Sequence, residues 1–109
     1  MFINRNYQGD VLILELSGRL DTFGAMELET RLQEACDEGR GPVVLDMSDV
    51  AYVNSTGLRV LARFLKISRE RNCDLRLVGL TPNVEKAIGL VGLANFFQPY
   101  ASLQAALNF

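Results

Sequence analysis

Residues 43–58 read VVLDMSDVAYVNSTGL. The segment opens with an apolar run that is typical of a strand buried on both faces of a sheet. It closes with the polar residues Asn54, Ser55 and Thr56 and with Gly57, after which a helical pattern begins. A polar turn between a buried strand and a helix lies at the carboxyl edge of an open α/β sheet, where binding sites are found. The segment therefore predicts an α/β fold and the position of its site.

The N-terminal part of the chain fits the same class of fold. The runs MFINRNY and VLILELSG, on either side of the turn QGD, predict a β-hairpin. The stretch RLDTFGAMELETRLQEACDEGRG predicts an amphipathic helix with an acidic outer face. Asp21 or Thr22 can cap the start of this helix, and Gly39 or Gly41 can end it.

The C-terminal part continues the alternation of strands and helices. It predicts a helix in GLRVLARFLKISRERN, a strand in CDLRLVGL, a helix in TPNVEKAIGLVGL, a short edge strand in FFQPY and a last short helix in ASLQAALNF. The element order ββαβαβαβα predicts a mixed, mostly parallel sheet of about four or five strands with about four helices. We expect residues 1–109 to form a single domain.

Charge and hydropathy narrow the class of protein. The net charge of −2 argues against a general nucleic-acid binder. Residues 1–54 hold ten acidic and four basic residues, whereas residues 55–109 hold seven basic and three acidic ones. We expect acidic and basic elements to face each other within the domain, and a field that steers a partner is the alternative. No signal peptide or membrane-spanning run is visible, so we expect a cytoplasmic protein without membrane contact.

The chain lacks the residues that most catalytic mechanisms require. The chain has no histidine, which excludes Ser-His-Asp and Cys-His systems. The phosphate-binding and dinucleotide-binding glycine loops are absent, so we expect no cofactor. The chain lacks histidine, the commonest metal ligand, and its two cysteines are scattered, so we expect no metal. Cys36 and Cys73 are expected to be reduced thiols, with a disulfide as the alternative. Asp46, Asp49 and Ser55 are the only candidates for an enzyme, and they lack further partners. We therefore expect a protein that is not an enzyme.

The polar turn allows two interpretations. Asn, Ser and Thr are preferred helix caps, and one of them must satisfy the unpaired N–H groups of the helix start. One cap is enough, however, and three candidates stand in a row. Gly57 in the first helical turn indicates that something approaches the backbone closely. A phosphate on one of these hydroxyls would be stabilised by the helix start and would change the surface charge.

Four segments together resemble a known family. They are GRLDT at 18–22, VVLDMSDVAYVNSTGL at 43–58, LRLVGLTPNVEKAI at 75–88 and LVGLANFF at 90–97. On these segments the chain resembles the bacterial anti-sigma factor antagonists, which are stand-alone STAS domains. The resemblance covers essentially the whole chain and implies the STAS fold.

The resemblance implies a partner-switching function in transcription regulation. Family members bind an anti-sigma factor that is also a serine kinase with a histidine-kinase-like ATPase fold, and binding releases the sigma factor. The kinase phosphorylates a serine at the start of the second helix, which matches Ser55, and a PPM-type phosphatase reverses the reaction. Asp21 matches an acidic residue near the phosphorylation site. The family usually has Asp where this chain has Asn54, which keeps the cap but removes a charge.

The partner surface is expected to include the turn and one face of the second helix. The candidates are Asp21, Asn54, Ser55, Thr56, Gly57, Arg59, Val60, Arg63, Phe64 and Ile67. The alternative for Val60, Phe64 and Ile67 is ordinary core, and for Arg59, Arg63 and Lys66 it is a solvated face. Phe23 and Met26 are expected to be packing residues. The alternative function is a non-catalytic STAS scaffold in a larger signalling or lipid-transport complex, without a phosphorylation switch.

Overall fold

A computed structural model describes residues 1–39, 41–71, 74–93 and 99–108. The elements in chain order are β1 (Phe2–Gln8), β2 (Val11–Leu20), α1 (Thr22–Glu38), β3 (Val43–Val53), α2 (Ser55–Arg71), β4 (Leu75–Val78), α3 (Pro82–Leu90) and α4 (Leu103–Ala106). This arrangement confirms the predicted α/β class. None of the helices within these ranges is long and apolar enough to cross a membrane.

The four strands form one mixed sheet in the order β1-β2-β3-β4. The hairpin pair β1–β2 is antiparallel, and the pairs β2–β3 and β3–β4 are parallel. Of the predicted edge strand FFQPY, residues 96–98 lie outside the described residues. Tyr100 forms a parallel bridge with Val78, and its N–H donates to the carbonyl oxygen of Leu77 at 3.0 Å. The chain therefore returns to the free edge of β4 as the sequence predicts.

The central strand β3 is buried on both faces, as its apolar run predicts. Val43, Leu45 and Met47 belong to the main core cluster, which also contains the buried residues of α1 and α2. Val44 points to the opposite face and packs in a smaller cluster with Ala106 of α4. Successive side chains of a strand alternate between its faces, so β3 anchors both layers of helices.

Helix α1 is bounded by the signals visible in the sequence. The side chain of Asp21 accepts a hydrogen bond from the N–H of Gly24 at 2.9 Å, so Asp21 and not Thr22 is the cap. Gly39 adopts the left-handed conformation with φ of 60°, and its N–H donates to the carbonyl oxygen of Ala35. A stripe of small and aliphatic residues is buried against the sheet, consisting of Gly24, Ala25, Leu28, Leu32 and Ala35.

Helix α2 buries residues that the sequence pattern placed on the partner surface. Val60 and Phe64 are core residues, and Phe64 is only 1% exposed, so the assignment of these two residues to a partner surface is wrong. Ile67 is half-buried against the same core. The reason is that α2 packs against α1 as well as against β3 and β4. A helix that contacts neighbours on two sides buries both flanks of its apolar stripe.

Exposed ion pairs join elements of the domain, and one of them connects the acidic N-terminal half to a basic helix. Arg63 of α2 lies 3.6 Å from Glu29 of α1, which confirms the expected contact between acidic and basic elements. Arg5 of β1 lies 3.4 Å from Glu38. The hydrogen bond that the Arg5 guanidinium donates to the hydroxyl of Tyr7 raises the pKa of Arg5. These pairs are exposed, so each contributes only about 0–1 kcal/mol to stability.

Phe64→Ala should lower the free energy of unfolding by about 3–5 kcal/mol, because it removes a fully buried ring and leaves a cavity. The matched control is Phe23→Ala, since Phe23 is 82% exposed and its replacement should change stability by less than about 0.5 kcal/mol. Urea denaturation of both variants measures the difference. Equal effects of the two substitutions would contradict the core assignment of Phe64.

Candidate functional site

The turn between β3 and α2 is held against the end of β2. The backbone N–H of Asn54 donates to the carbonyl oxygen of Leu20 at 3.1 Å. The side-chain Oδ1 of Asn54 accepts from the N–H of Gly57 at 2.9 Å, and its carbonyl oxygen accepts from the N–H of Leu58 at 2.9 Å. These bonds make Asn54 the N-cap of α2.

The capping role of Asn54 leaves Ser55 available for other chemistry. Ser55 is the first residue of α2 and is exposed, whereas Thr56 is half-buried. The first turn of α2 contains no acidic residue. The Ser55 hydroxyl therefore lies at the positive end of a 17-residue helix, where an anion is favoured.

A side-chain hydrogen bond connects the starts of α1 and α2. The amide Nδ2 of Asn54 donates to Oγ1 of Thr22 at 3.4 Å. Thr22 directly follows Asp21, the half-buried cap of α1. The structure thus brings the predicted site residues Asp21, Asn54 and Ser55 to the same end of the two helices.

Gly57 is required by the packing of this chain itself. It is buried, and a Cβ atom at this position would lie 2.8 Å from both Cγ and the carbonyl oxygen of Leu20 and 2.9 Å from Cγ2 of Val53. The close backbone approach that the sequence indicates is therefore the approach of α2 to the end of β2. As a buried residue, Gly57 offers no side chain or surface to a partner, which corrects its inclusion in the partner surface.

The basic candidates lie on an exposed face of α2. Arg59 follows Ser55 by four residues, so the two share a helix face. Arg63, one turn further on, is also exposed and forms the ion pair with Glu29. Lys66 is exposed as well. These residues fit the solvated face that the sequence allowed.

The prediction for two residues at the start of α1 is wrong. Phe23 and Met26 are predicted to be packing residues, but they are 82% and 62% exposed. Their spacing of three residues puts them on one face of α1, away from the buried stripe that includes Ala25 and Leu28. A helical projection centred on that stripe could have predicted this exposure, because Phe23 lies about 200° from Ala25 at 100° per residue.

A second group of exposed side chains lies near the carboxyl ends of β2 and β3. The guanidinium of Arg19 stacks on the ring of Tyr52, 3.9 Å from its centroid. These residues are partners in the register of β2 and β3, near the carboxyl ends of both strands. Nothing in the sequence singles out this pair, because the contact depends on strand register.

The structure does not assemble the residues proposed for an enzyme. Asp46 accepts hydrogen bonds through Oδ1 from the N–H and hydroxyl of Ser48, at 3.1 and 2.6 Å. Asp46 and Asp49 line an open depression of about 300 Å³, and Ser55 is not among its lining residues. Within the described ranges, no group of three or more His, Cys, Asp or Glu residues is arranged to hold a metal ion.

Comparison with known sequences identifies the family. The STAS domain family matches residues 3–106. The chain belongs to the STAS domain family. A Bordetella bronchiseptica protein, BtrV, which carries the name anti-sigma factor antagonist, is 33% identical over 96 residues, covering 88% of this chain and 83% of BtrV.

Solved structures show the same fold. A crystal structure from Thermotoga maritima, assigned as an anti-sigma factor antagonist, superposes with a TM-score of 0.88 at 24% identity, covering 96% of this STAS chain and 91% of the other. The phosphorylated form of SpoIIAA, a Bacillus cell fate determinant, superposes with a TM-score of 0.76 at 14% identity and covers 98% and 97% of the two chains. These likenesses confirm the predicted STAS-like fold.

Asn54→Ala should lower the free energy of unfolding by about 1 kcal/mol, because it removes the helix cap. Ser55→Ala should change it by less than about 0.5 kcal/mol, because the exposed hydroxyl is not the cap. Chemical denaturation of the two variants separates these roles. A loss at Ser55 as large as the loss at Asn54 would show that Ser55 is the cap in solution.

Gly57→Ala should destabilise the domain by about 1–3 kcal/mol, because the added methyl group overlaps Leu20 and Val53. Gly89→Ala is the matched control, since Gly89 is also helical and has nothing within 4 Å of a Cβ position. That control should be stabilising by about 0.4–1 kcal/mol. Thermal unfolding of both variants measures the two changes in stability. If both substitutions destabilise the domain, or both stabilise it, the contact of Gly57 is contradicted.

Proposed function

We propose that this STAS domain is an anti-sigma factor antagonist whose binding is controlled by phosphorylation of Ser55. In this proposal it binds an anti-sigma factor that is also a serine kinase with a histidine-kinase-like ATPase fold, and the bound sigma factor is released. Phosphorylation of Ser55 ends the binding, and a PPM-type phosphatase restores it. The supporting observation is the division of roles at the turn, where Asn54 caps α2 and Ser55 remains exposed.

The position of Ser55 favours a phosphate that leaves the fold intact. Free N–H groups and the helix dipole stabilise an anion at the first residue of α2. No capping bond is broken by the modification, because Asn54 makes that bond. The phosphorylated domain should therefore remain folded, and its affinity for the partner should change instead.

The electrostatic change at the turn is large. A phosphate adds about two negative charges to a serine that carries none. A partner docked over Ser55 would have to desolvate this phosphate or meet it with opposite charge. Asn54 has the same shape as the Asp of the family pattern but is neutral, so it removes a like charge beside the phosphate.

The relatives support the proposal. BtrV carries the name anti-sigma factor antagonist, and SpoIIAA is described in a phosphorylated form. The chain also retains the acidic cap Asp21, and the hydrogen bond between Asn54 and Thr22 holds the start of α1 beside the turn. A carboxylate at this end of α1 is available to contact a cation of the kinase.

The test compares the protein with Ser55, Ser55→Ala and Ser55→Asp as baits in lysate of the source organism. We expect the wild type and Ser55→Ala to retain an ATPase-type serine kinase, and we expect Ser55→Asp to lose it by about tenfold or more. Incubation of the wild type with that kinase and ATP should add one phosphate, detected by mass spectrometry. Ser55→Ala should remain unmodified, whereas the matched control Thr56→Ala should be modified like the wild type.

Two outcomes would contradict the proposal. If Ser55→Asp and Ser55→Ala retain the same proteins equally, the turn is only a contact surface and the scaffold function applies. If the phosphate appears on Thr56 rather than Ser55, the residue assignment is wrong although switching itself occurs.

A further inference from the structure

An exposed apolar pair stands at the start of α1. Phe23 and Met26 are 82% and 62% exposed and lie on one face of the helix. After the acidic cap Asp21, the first turn of α1 contains no further acidic residue. The chain places a phenyl ring in solvent at this position. Paired apolar side chains of this size on a small domain mark an interaction site more often than isolated ones do.

The pair lies next to the candidate switch. Phe23 follows Thr22, whose hydroxyl oxygen accepts the hydrogen bond from Asn54. Asn54 in turn precedes Ser55, the first residue of α2. This hydrogen bond places the start of α1, which carries the apolar pair, next to the start of α2, which carries Ser55.

The charge around the pair defines the chemistry of its partner. Helix α1 carries five acidic residues and one basic residue. Glu27 is exposed, and it shares the face of Phe23 because it follows by four residues. Further along the helix, Glu34 and Glu38 pair with Arg31 and Arg5, and Asp37 accepts a hydrogen bond from Gln33. Among the described residues Glu27 has no ion-pair partner, so the charge that it places beside the apolar pair is negative.

We infer that Phe23 and Met26 are the apolar anchors of the anti-sigma factor interface and that they enter a pocket with a basic rim that faces Glu27. This inference rests on the proposed function. A symmetric contact with a second copy is disfavoured, because an isologous interface would place the Glu27 side chains of both copies in one patch. A partner with an apolar pocket and a basic rim would bury the exposed apolar pair and complement the negative charge of Glu27.

The arrangement explains how a phosphate on Ser55 can control binding. The anchors would bring the partner over the two helix starts, so Ser55 lies at the edge of the buried area. A charge added there is desolvated on binding, which weakens the complex without altering the anchors themselves.

The experiment measures the affinity of purified variants for the kinase that the wild-type bait retains, by biolayer interferometry. The double variant Phe23→Ser, Met26→Ser should bind about 30-fold or more weakly, as expected for central apolar anchors. Glu27→Lys should bind about 3–10-fold more weakly, chiefly through a slower association rate that depends on salt. Leu90→Ser is the matched control, since Leu90 is 78% exposed at the end of α3, and its affinity should be unchanged.

The outcomes separate this inference from the proposed function. One outcome is that the kinase binds the wild type and the double variant with equal affinity but fails to bind Ser55→Asp. In that case Phe23 and Met26 are not the anchors, and the proposed control by Ser55 is supported. If Leu90→Ser weakens binding as much as the double variant does, the interface is elsewhere or nonspecific. If the wild type retains no kinase, both proposals fall. If sedimentation shows a wild-type dimer that the double variant loses, the occupant is a second copy and the inference is overturned.

Discussion

The site depends on the close approach of the first turn of α2 to the end of β2. Gly57 lies against Leu20 without room for a Cβ atom, and Asn54 donates its backbone N–H to the carbonyl oxygen of the same residue. Two independent contacts to Leu20 thus fix where α2 begins and in which direction it leaves the sheet. Because the backbone is fixed in this way, Asn54 is oriented to cap the helix and Ser55 faces solvent.

This separation of roles has an electrostatic consequence. If the serine itself capped the helix, its phosphorylation would require a phosphate oxygen to replace the hydroxyl oxygen as acceptor of the backbone N–H. In this domain the amide of Asn54 fulfils the structural need, and the same amide connects α2 to Thr22 through its nitrogen. The hydroxyl of Ser55 then lies in the favourable field of the helix start. A modification there changes the surface charge while the core contacts stay in place.

The burial of α2 determines which surface remains for a partner. This helix contacts α1, β3 and β4, so both flanks of its apolar stripe are inside, including Val60 and Phe64. Its exposed face is basic and polar. Helix α1 is different, because its buried stripe consists of small and aliphatic residues and its opposite face carries Phe23 and Met26. The apolar surface next to the switch therefore belongs to α1.

Features that depend on local chemistry can be predicted from the amino-acid sequence alone. Strand and helix periodicity gave the element order, the run at 43–47 indicated a strand buried on both faces, and Asp21 and Gly39 marked the ends of α1. The polar turn was located for the same reason, since caps and glycines act within a few residues of their own position. The family resemblance added Ser55 as the candidate for modification.

The roles of individual residues within these elements depend on contacts between segments that are distant in sequence. The choice of Asn54 as the cap among three suitable residues follows from a contact with Leu20, which is distant in sequence. Whether Phe64 is core or surface depends on how many neighbours α2 has, and periodicity cannot count them. The exposure of Phe23 likewise follows from the side of α1 that faces the sheet. Local signals specify where elements begin and end, but burial is a property of the assembled layers, and it selects which side chains are left for a partner.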